Sequence, residues 1–163
     1  MSDSDADSNA DADFTVDRKA WDLAAEADAA VETVTVEELQ AELAVEHESE
    51  DGDGGAGEGE GDLVVLDVRD IREAWIEGGI PSAKHAPRGM IEWWADPSTE
   101  YYKPFFHPSN RYVVYCNEAG RSALVARVLG EMGYDDVAHL EGGFTAWQEQ
   151  GGEIEDVPQR DYK

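Results

Sequence analysis

The sequence predicts an α/β protein, a parallel sheet with helices on both faces. Three observations lead there. Leu63-Val64-Val65-Leu66 and Tyr112-Val113-Val114-Tyr115 are continuous apolar runs, the pattern of strands buried on both sides. Directly behind the second run, Leu124, Val125, Val128, Leu129 and Met132 recur at helical spacing. Strand and helix signals then alternate along most of the chain, which calls for crossover connections and not hairpins.

Taken in order, residues 1–16 are acidic and nearly free of large apolar side chains, so a disordered acidic tail is expected there. From Asp17 a helical pattern places Trp21, Leu23, Ala24, Ala27 and Val31 toward a core. A short strand within Val31 to Thr35 follows. Thr35 and Glu38 have capping-box spacing ahead of Leu39, Leu43 and Ala44, predicting a helix to about Val45. Residues 48–61 read as a flexible acidic loop, since ESEDGDGGAGEGEG has Ala56 as its single apolar side chain. After the Leu63–Leu66 strand, Asp70 opens a short helix carrying Ile71, Ala74 and Trp75, stopped by Gly78-Gly79. A strand near Ala83–Ala86 and a helix through Met90–Trp94 come next. The segment 96–109, with paired tyrosines and phenylalanines between prolines, is expected to wall the site. Gly133 suits the stop of the long helix, Val137–Leu140 a last strand, and Phe144–Gln150 a last helix after the Gly142-Gly143 turn. One domain over residues 17–163 accommodates all of this, because 163 residues are too few for two ordinary cores.

Charge and composition exclude several functions. The formal net charge is −26, and residues 1–61 hold 20 acids against 2 bases. Such a field repels nucleic acid and anionic membranes, whose recognition needs Lys and Arg. No segment offers the apolar length for a bilayer span, and the first residues lack a signal peptide's basic and apolar regions. A soluble, cytoplasmic, monomeric protein is expected, with no cofactor and no metal site. A single cysteine excludes an internal disulfide and fits a reducing compartment. Only four lysines occur, and Asp is spread through helices as well as tails, which favours adaptation to high salt over an acidic interaction tail.

That one cysteine ends an apolar strand, in Tyr115-Cys116-Asn117-Glu118-Ala119-Gly120-Arg121-Ser122. In an open parallel sheet, ligands sit beyond the carboxyl ends of the strands, at loops that lead into helices. A short loop from Cys116 to Arg121 would aim backbone N–H groups and a helix dipole at one point, lowering the thiol pKa and holding a sulfur anion without a histidine base. The alternative is a small buried hydrophobe at a strand end. A tight glycine-containing loop with an arginine beside it favours the chemical reading.

The blocks LDVRDIREAWIEGGIPSAKHAPRG, YCNEAGRSALVARVLGEMGY and VAHLEGGFTAW resemble a single-domain rhodanese, a sulfurtransferase, over about Glu32 to Gln150, and the acidic composition resembles that of haloarchaeal proteins. The resemblance implies a five-stranded parallel sheet and a persulfide on Cys116, with Asn117, Glu118, Ala119, Gly120, Arg121 and Ser122 as the loop that binds it. It implies a small sulfur donor such as thiosulfate or a persulfide, and cyanide, a thiol or a protein thiol as acceptor. Related phosphatases and arsenate reductases place five residues between Cys and Arg. Here there are four, a smaller ring that suits one sulfur atom. Three positions depart from the family's pattern. Ala119 stands where many members have glycine, Glu118 puts a carboxylate where a dianionic donor would approach, and Gly78-Gly79-Ile80-Pro81-Ser82-Ala83 lacks a histidine.

Asp67 and Arg69 either border the mouth of the site or form a buried ion pair that fixes the loop after the strand, and the second is favoured. Arg121 either orients an anionic donor or ties down the loop. His85 and His139 are assigned structural or solvent-facing places, and Trp75, Trp93, Trp94 and Trp147 core or lid places. A non-catalytic binding module or a sulfur carrier is the alternative to an enzyme. If the acidity is an adaptation to salt, the melting temperature rises steeply from low to molar KCl; calorimetry across that series showing no rise would assign the acids to an interaction tail.

Overall fold

The computed structural model describes residues 12–50 and 61–159. Five strands form one sheet in the order β1-β5-β4-β2-β3, every pair parallel: β1 Glu32–Val34, β2 Leu63–Asp67, β3 Lys84–His85, β4 Arg111–Tyr115 and β5 Val137–Leu140. Between them run α1 Ala20–Ala30, α2 Val36–Glu50, α3 Ile71–Glu77, a 3-10 turn Arg88–Met90 continuing into α4 Ile91–Trp94, α5 Gly120–Glu131 and α6 Gly143–Glu149. The α/β architecture expected from the apolar runs is the one observed.

Strand geometry divides the core in two. Side chains alternate across a strand. Val64, Leu66, Tyr112, Val114 and Cys116 therefore face α4 and α5, where they pack with Ile91, Phe106, Val125, Leu129 and Tyr134. Val65, Val113 and Tyr115 face the other way, onto Val34, Leu39, Leu140, Phe144 and Trp147. Each fully buried Val, Leu or Phe contributes about 1.5–3 kcal/mol by leaving water, so both layers are needed to hold the sheet between its helices.

Local signals hold where they were read. Glu38 N–H donates to Thr35 Oγ1 at 3.0 Å and Thr35 N–H to Glu38 Oε1 at 2.9 Å, the reciprocal cap expected for α2. Arg72 N–H donates to Asp70 Oδ1 at 2.9 Å while Asp70 N–H donates to Glu73 Oε2 at 3.0 Å, so α3 carries a second such cap.

Several expectations need correction. Helix α1 begins at Ala20 and buries only Ala24 and Ala27; Trp21 and Leu23 are exposed and Val31 is half-buried. Two small residues suffice because α1 lies close on α5, and the larger side chains fall outside that narrow stripe. Helix α2 runs on to Glu50, past Val45 and into the expected loop, since nothing in ESE breaks a helix before the glycines. Residues 12–16 have no regular structure, while the rest of the expected tail and residues 51–60 of the loop lie outside the described residues. Of the two places expected for His139, structural or solvent-facing, the buried one is observed. The segment 96–109 does not wall the cysteine pocket: Phe106 packs on Tyr112 and Tyr134 in the core, at centroid distances of 5.7 and 6.0 Å. No helix among the described residues is long and apolar enough to cross a membrane.

One buried ion pair ties the end of β2 to the turn that closes α3. Arg69 donates through Nε and Nη2 to the two Asp67 carboxylate oxygens at 2.9 and 2.7 Å, and through Nη2 to Gly78 O at 2.7 Å. Its guanidinium lies 4.5 Å from the Phe144 ring centroid. Tyr115 Oη donates to Asp67 at 2.9 Å and accepts from Ile80 N–H at 3.1 Å. Removing one partner of such a pair strands a charge in the core. Asp67→Asn is expected to lower stability by about 3 kcal/mol in urea unfolding.

Candidate active site

Cys116 sits just past the carboxyl end of β4, a central strand, where the chain turns into α5. Its side chain is buried, yet it forms part of the lining of an open pocket of about 410 Å³ with Trp21, Arg88, Asn117, Glu118 and Arg121. Cys116 thus adjoins the pocket while its side chain also packs with the core. Ser122 N–H donates to Cys116 Sγ at 3.3 Å, as the first turn of a helix would aim it. Among the described residues the amides of Glu118, Ala119, Gly120 and Arg121 have no protein acceptor, so the loop keeps donors available for an anion.

The turn is made by an unusual residue. Ala119 takes φ 74° and ψ 0°, the left-handed conformation that glycine adopts freely and that costs an alanine about 1–2 kcal/mol. Gly120, the next residue, does not take positive φ. It is glycine for a different reason: a Cβ there would lie 2.9 Å from the Trp21 ring, which covers this part of the loop. From behind, Phe144 N–H donates to Cys116 O at 2.8 Å and Thr145 N–H to Asn117 O at 3.1 Å. Gly143 makes that approach possible, with φ 64° and a position where a Cβ would meet Asn117 O at 2.4 Å.

From the side, Glu73 binds the loop. Arg121 donates through Nη1 and Nη2 to its two oxygens at 2.8 and 2.9 Å, and Asn117 Nδ2 donates to Oε1 at 2.9 Å. Asn117 Oδ1 in turn accepts from Arg69 Nη1 at 3.2 Å, which links the loop to the buried Asp67 pair. The Arg121 bonds hold Glu73 below the usual carboxylate range against its partial burial. Arg121 is raised, first by Glu73 and further by its proximity to Cys116.

Of the residues singled out in the sequence, Cys116, Asn117, Glu118, Gly120 and Arg121 line the pocket, and Ser122 lies beneath it. Asp67 and Arg69 do not reach the pocket; they brace the loop from inside, through Asn117. Arg121 ties the loop down. Four contributors escape sequence reasoning. Glu73 is legible only as the partner of Asp70 in a cap. Trp21 reads as a core residue. Arg88, exposed on the rim, and His139, beneath Ser122, carry no sequence signal of their own.

Comparisons with known proteins agree with this fold. The model of the rhodanese-like domain family matches residues 56–150. A solved structure from Rhodopseudomonas palustris, of a protein of unknown function described as a possible tyrosine phosphatase, is 38% identical, covers 88% of this chain and 99% of its own, and superposes with a TM-score of 0.71. A rhodanese-like domain protein from Staphylococcus aureus is 27% identical over 76% of this chain and 98% of its own, with a TM-score of 0.53. The human single-domain sulfurtransferase shares the fold at 21% identity over 74% of this chain and 97% of its own, with a TM-score of 0.56. Comparison with curated proteins found no match.

Because Glu73 has a depressed pKa, its contribution to stability is present above its ordinary value of 4.5 and is lost as pH falls below it. Thermal melts of wild type and Glu73→Gln are expected to differ at neutral pH, with wild type the more stable. The two curves should converge in acid.

Proposed function

Because the chain belongs to the rhodanese-like domain family, we propose that it is a sulfurtransferase carrying sulfane sulfur as a persulfide on Cys116. The observation that carries this reading is that Cys116 lines an open pocket and its Sγ accepts the Ser122 amide at 3.3 Å. The thiolate attacks the outer sulfur of a small donor, thiosulfate or a persulfide. A new S–S bond forms at Cys116, the donor's own bond to that sulfur breaks, and its electron pair leaves with sulfite or a thiolate. The terminal sulfur of Cys116-S-S⁻ is then held by loop amides, as an oxyanion hole holds oxygen. A thiophilic acceptor takes that sulfur in the second half-reaction and regenerates the thiolate, so kinetics are ping-pong.

The pocket's size argues for small partners. Trp21 and Arg88 narrow the approach, and Glu118 on the wall disfavours a dianion, so a persulfide with a single negative charge is the better donor. A thiol used this way belongs in a reducing cytoplasm. The acidic surface keeps nucleic acid away, and its adaptation to high salt is part of the same proposal.

One relative is described as a possible tyrosine phosphatase, which raises a second reading. Arg121 argues against it. The end-on edge of its guanidinium is already paired with Glu73, at 2.8 and 2.9 Å, which offsets the charge it would offer a phosphate, and the loop has only four residues before it.

Intact-mass measurement in high salt separates these readings. Wild type exposed to cysteine persulfide or thiosulfate is expected to gain one sulfur atom, removable by cyanide, and Cys116→Ser to gain none. Failure of wild type to gain sulfur removes the sulfurtransferase reading. Sustained thiocyanate release distinguishes a turning-over enzyme from a carrier that acts once. Hydrolysis of p-nitrophenyl phosphate without sulfur gain would favour the phosphatase.

A further inference from the structure

Behind the pocket, a line of polar side chains runs from the thiol to the surface. Cys116 Sγ lies 3.6 Å from Ser122 Oγ, Ser122 Oγ lies 3.1 Å from His139 Nδ1, and His139 Nε2 lies 2.6 Å from Asp28 Oδ1. The members come from the loop after β4, the first turn of α5, the strand β5 and the helix α1. Ser122 and His139 are fully buried, whereas Asp28 is half in solvent, with 54% of its side chain exposed. Thr33 Oγ1 donates to the same Asp28 oxygen at 3.2 Å, which fixes the carboxylate over the imidazole. A histidine needing only satisfied nitrogens could find them anywhere in the interior. This one lies between a carboxylate and a hydroxyl that touches the nucleophile.

The geometry points to Ser122, His139 and Asp28 as a proton relay that ionises the Cys116 thiol, an inference that rests on the reading of Cys116 as the sulfur nucleophile. His139 keeps its proton on Nε2, donated to Asp28, so Nδ1 offers its lone pair to the Ser122 hydroxyl, and Ser122 Oγ accepts from the thiol. On ionisation the S–H bond breaks and its electron pair stays on sulfur. That proton moves to Ser122 Oγ as the original hydroxyl proton moves to His139 Nδ1. The products are a thiolate facing both the N–H and O–H of Ser122, and an imidazolium paired with Asp28. No oxidant or other co-reactant is needed. The proton leaves to water at the exposed carboxylate.

Other charges around the thiol do not replace this route. Arg121 adjoins Cys116 but is paired with Glu73, and Glu118 and Arg88 lie on the pocket wall. The residues beside His139 on the neighbouring strands are Thr33 and Val114, neither of them charged. Asp28, His139 and Ser122 are positioning residues here, since they act on the reaction through the cysteine.

The test is the rate of Cys116 alkylation by iodoacetamide across neutral and alkaline pH, a readout independent of any sulfur donor. Asp28→Asn is expected to move the midpoint up by about one unit, slowing alkylation about tenfold at neutral pH while the alkaline limiting rate stays unchanged. His139→Gln should do the same or more, and Asp28→Glu should restore the wild-type curve. Superposable profiles, or a uniform drop with an unmoved midpoint, overturn the relay and leave a packing role. If His139→Gln fails to fold, the exposed Asp28→Asn decides alone. A shifted profile in a protein that gains no sulfur keeps the relay and removes the sulfurtransferase reading; sulfur gain with unshifted profiles does the reverse.

Discussion

Among the contacts that hold the backbone path of Cys116 to Ser122, one carboxylate, that of Glu73, reaches both ends of the loop. It accepts both terminal nitrogens of Arg121 and the amide nitrogen of Asn117, and so binds the loop at its second and sixth residues. The bond that fixes the near end of α3 is made by the same side chain, through Asp70 N–H. A loop pinned in this way can keep Ala119 in a left-handed conformation that an unconstrained chain would abandon. The strain is sustained because the contacts around it leave no other route from β4 to α5.

Basic residues are scarce in so acidic a chain, and the structure commits three arginines to two or more hydrogen bonds each. Arg69 joins Asp67, Gly78 O and Asn117 inside the protein. Arg121 takes Glu73. Arg111 gathers Glu32, Glu42 and Asp136 at the far end of the sheet, drawing β1, α2 and the approach to β5 together. Arginine suits all three places because its planar fork meets carboxylates along two edges, which a lysine cannot do. Arg88, on the pocket rim, stands apart in having no such partner among the described residues, and its charge is open to an anionic group entering the pocket.

Helix α1 adds to the site what the sheet cannot. Its alanines let it lie close on α5, and from that position Trp21 covers Gly120 while Asp28 reaches His139. A helix that covers the Cys116 loop is thus remote from it in sequence, and the pocket is shared between two parts of the chain.

The architecture was legible in the sequence because strands buried on both faces must be apolar throughout, as Leu63–Leu66 and Tyr112–Tyr115 are, and because caps such as Thr35 with Glu38 and Asp70 with Glu73 are made by neighbours three residues apart. The place of Cys116 at a strand end, ahead of a tight turn, was legible for a related reason: a lone thiol between a buried strand and a glycine-containing turn has few local explanations. The pairing of Glu73 with Arg121, the bracing of Asn117 by Arg69, and the line from Cys116 through His139 to Asp28 were not legible. The Arg121, Arg69 and Asp28 bonds among them join residues 48, 48 and 111 positions apart, at distances of 2.6–3.2 Å, and such contacts exist only after parallel strands have been brought into register. Local spacing determined which elements form and where the thiol stands. Only the packing of α1 and α3 against the end of the sheet decided which charges reach it.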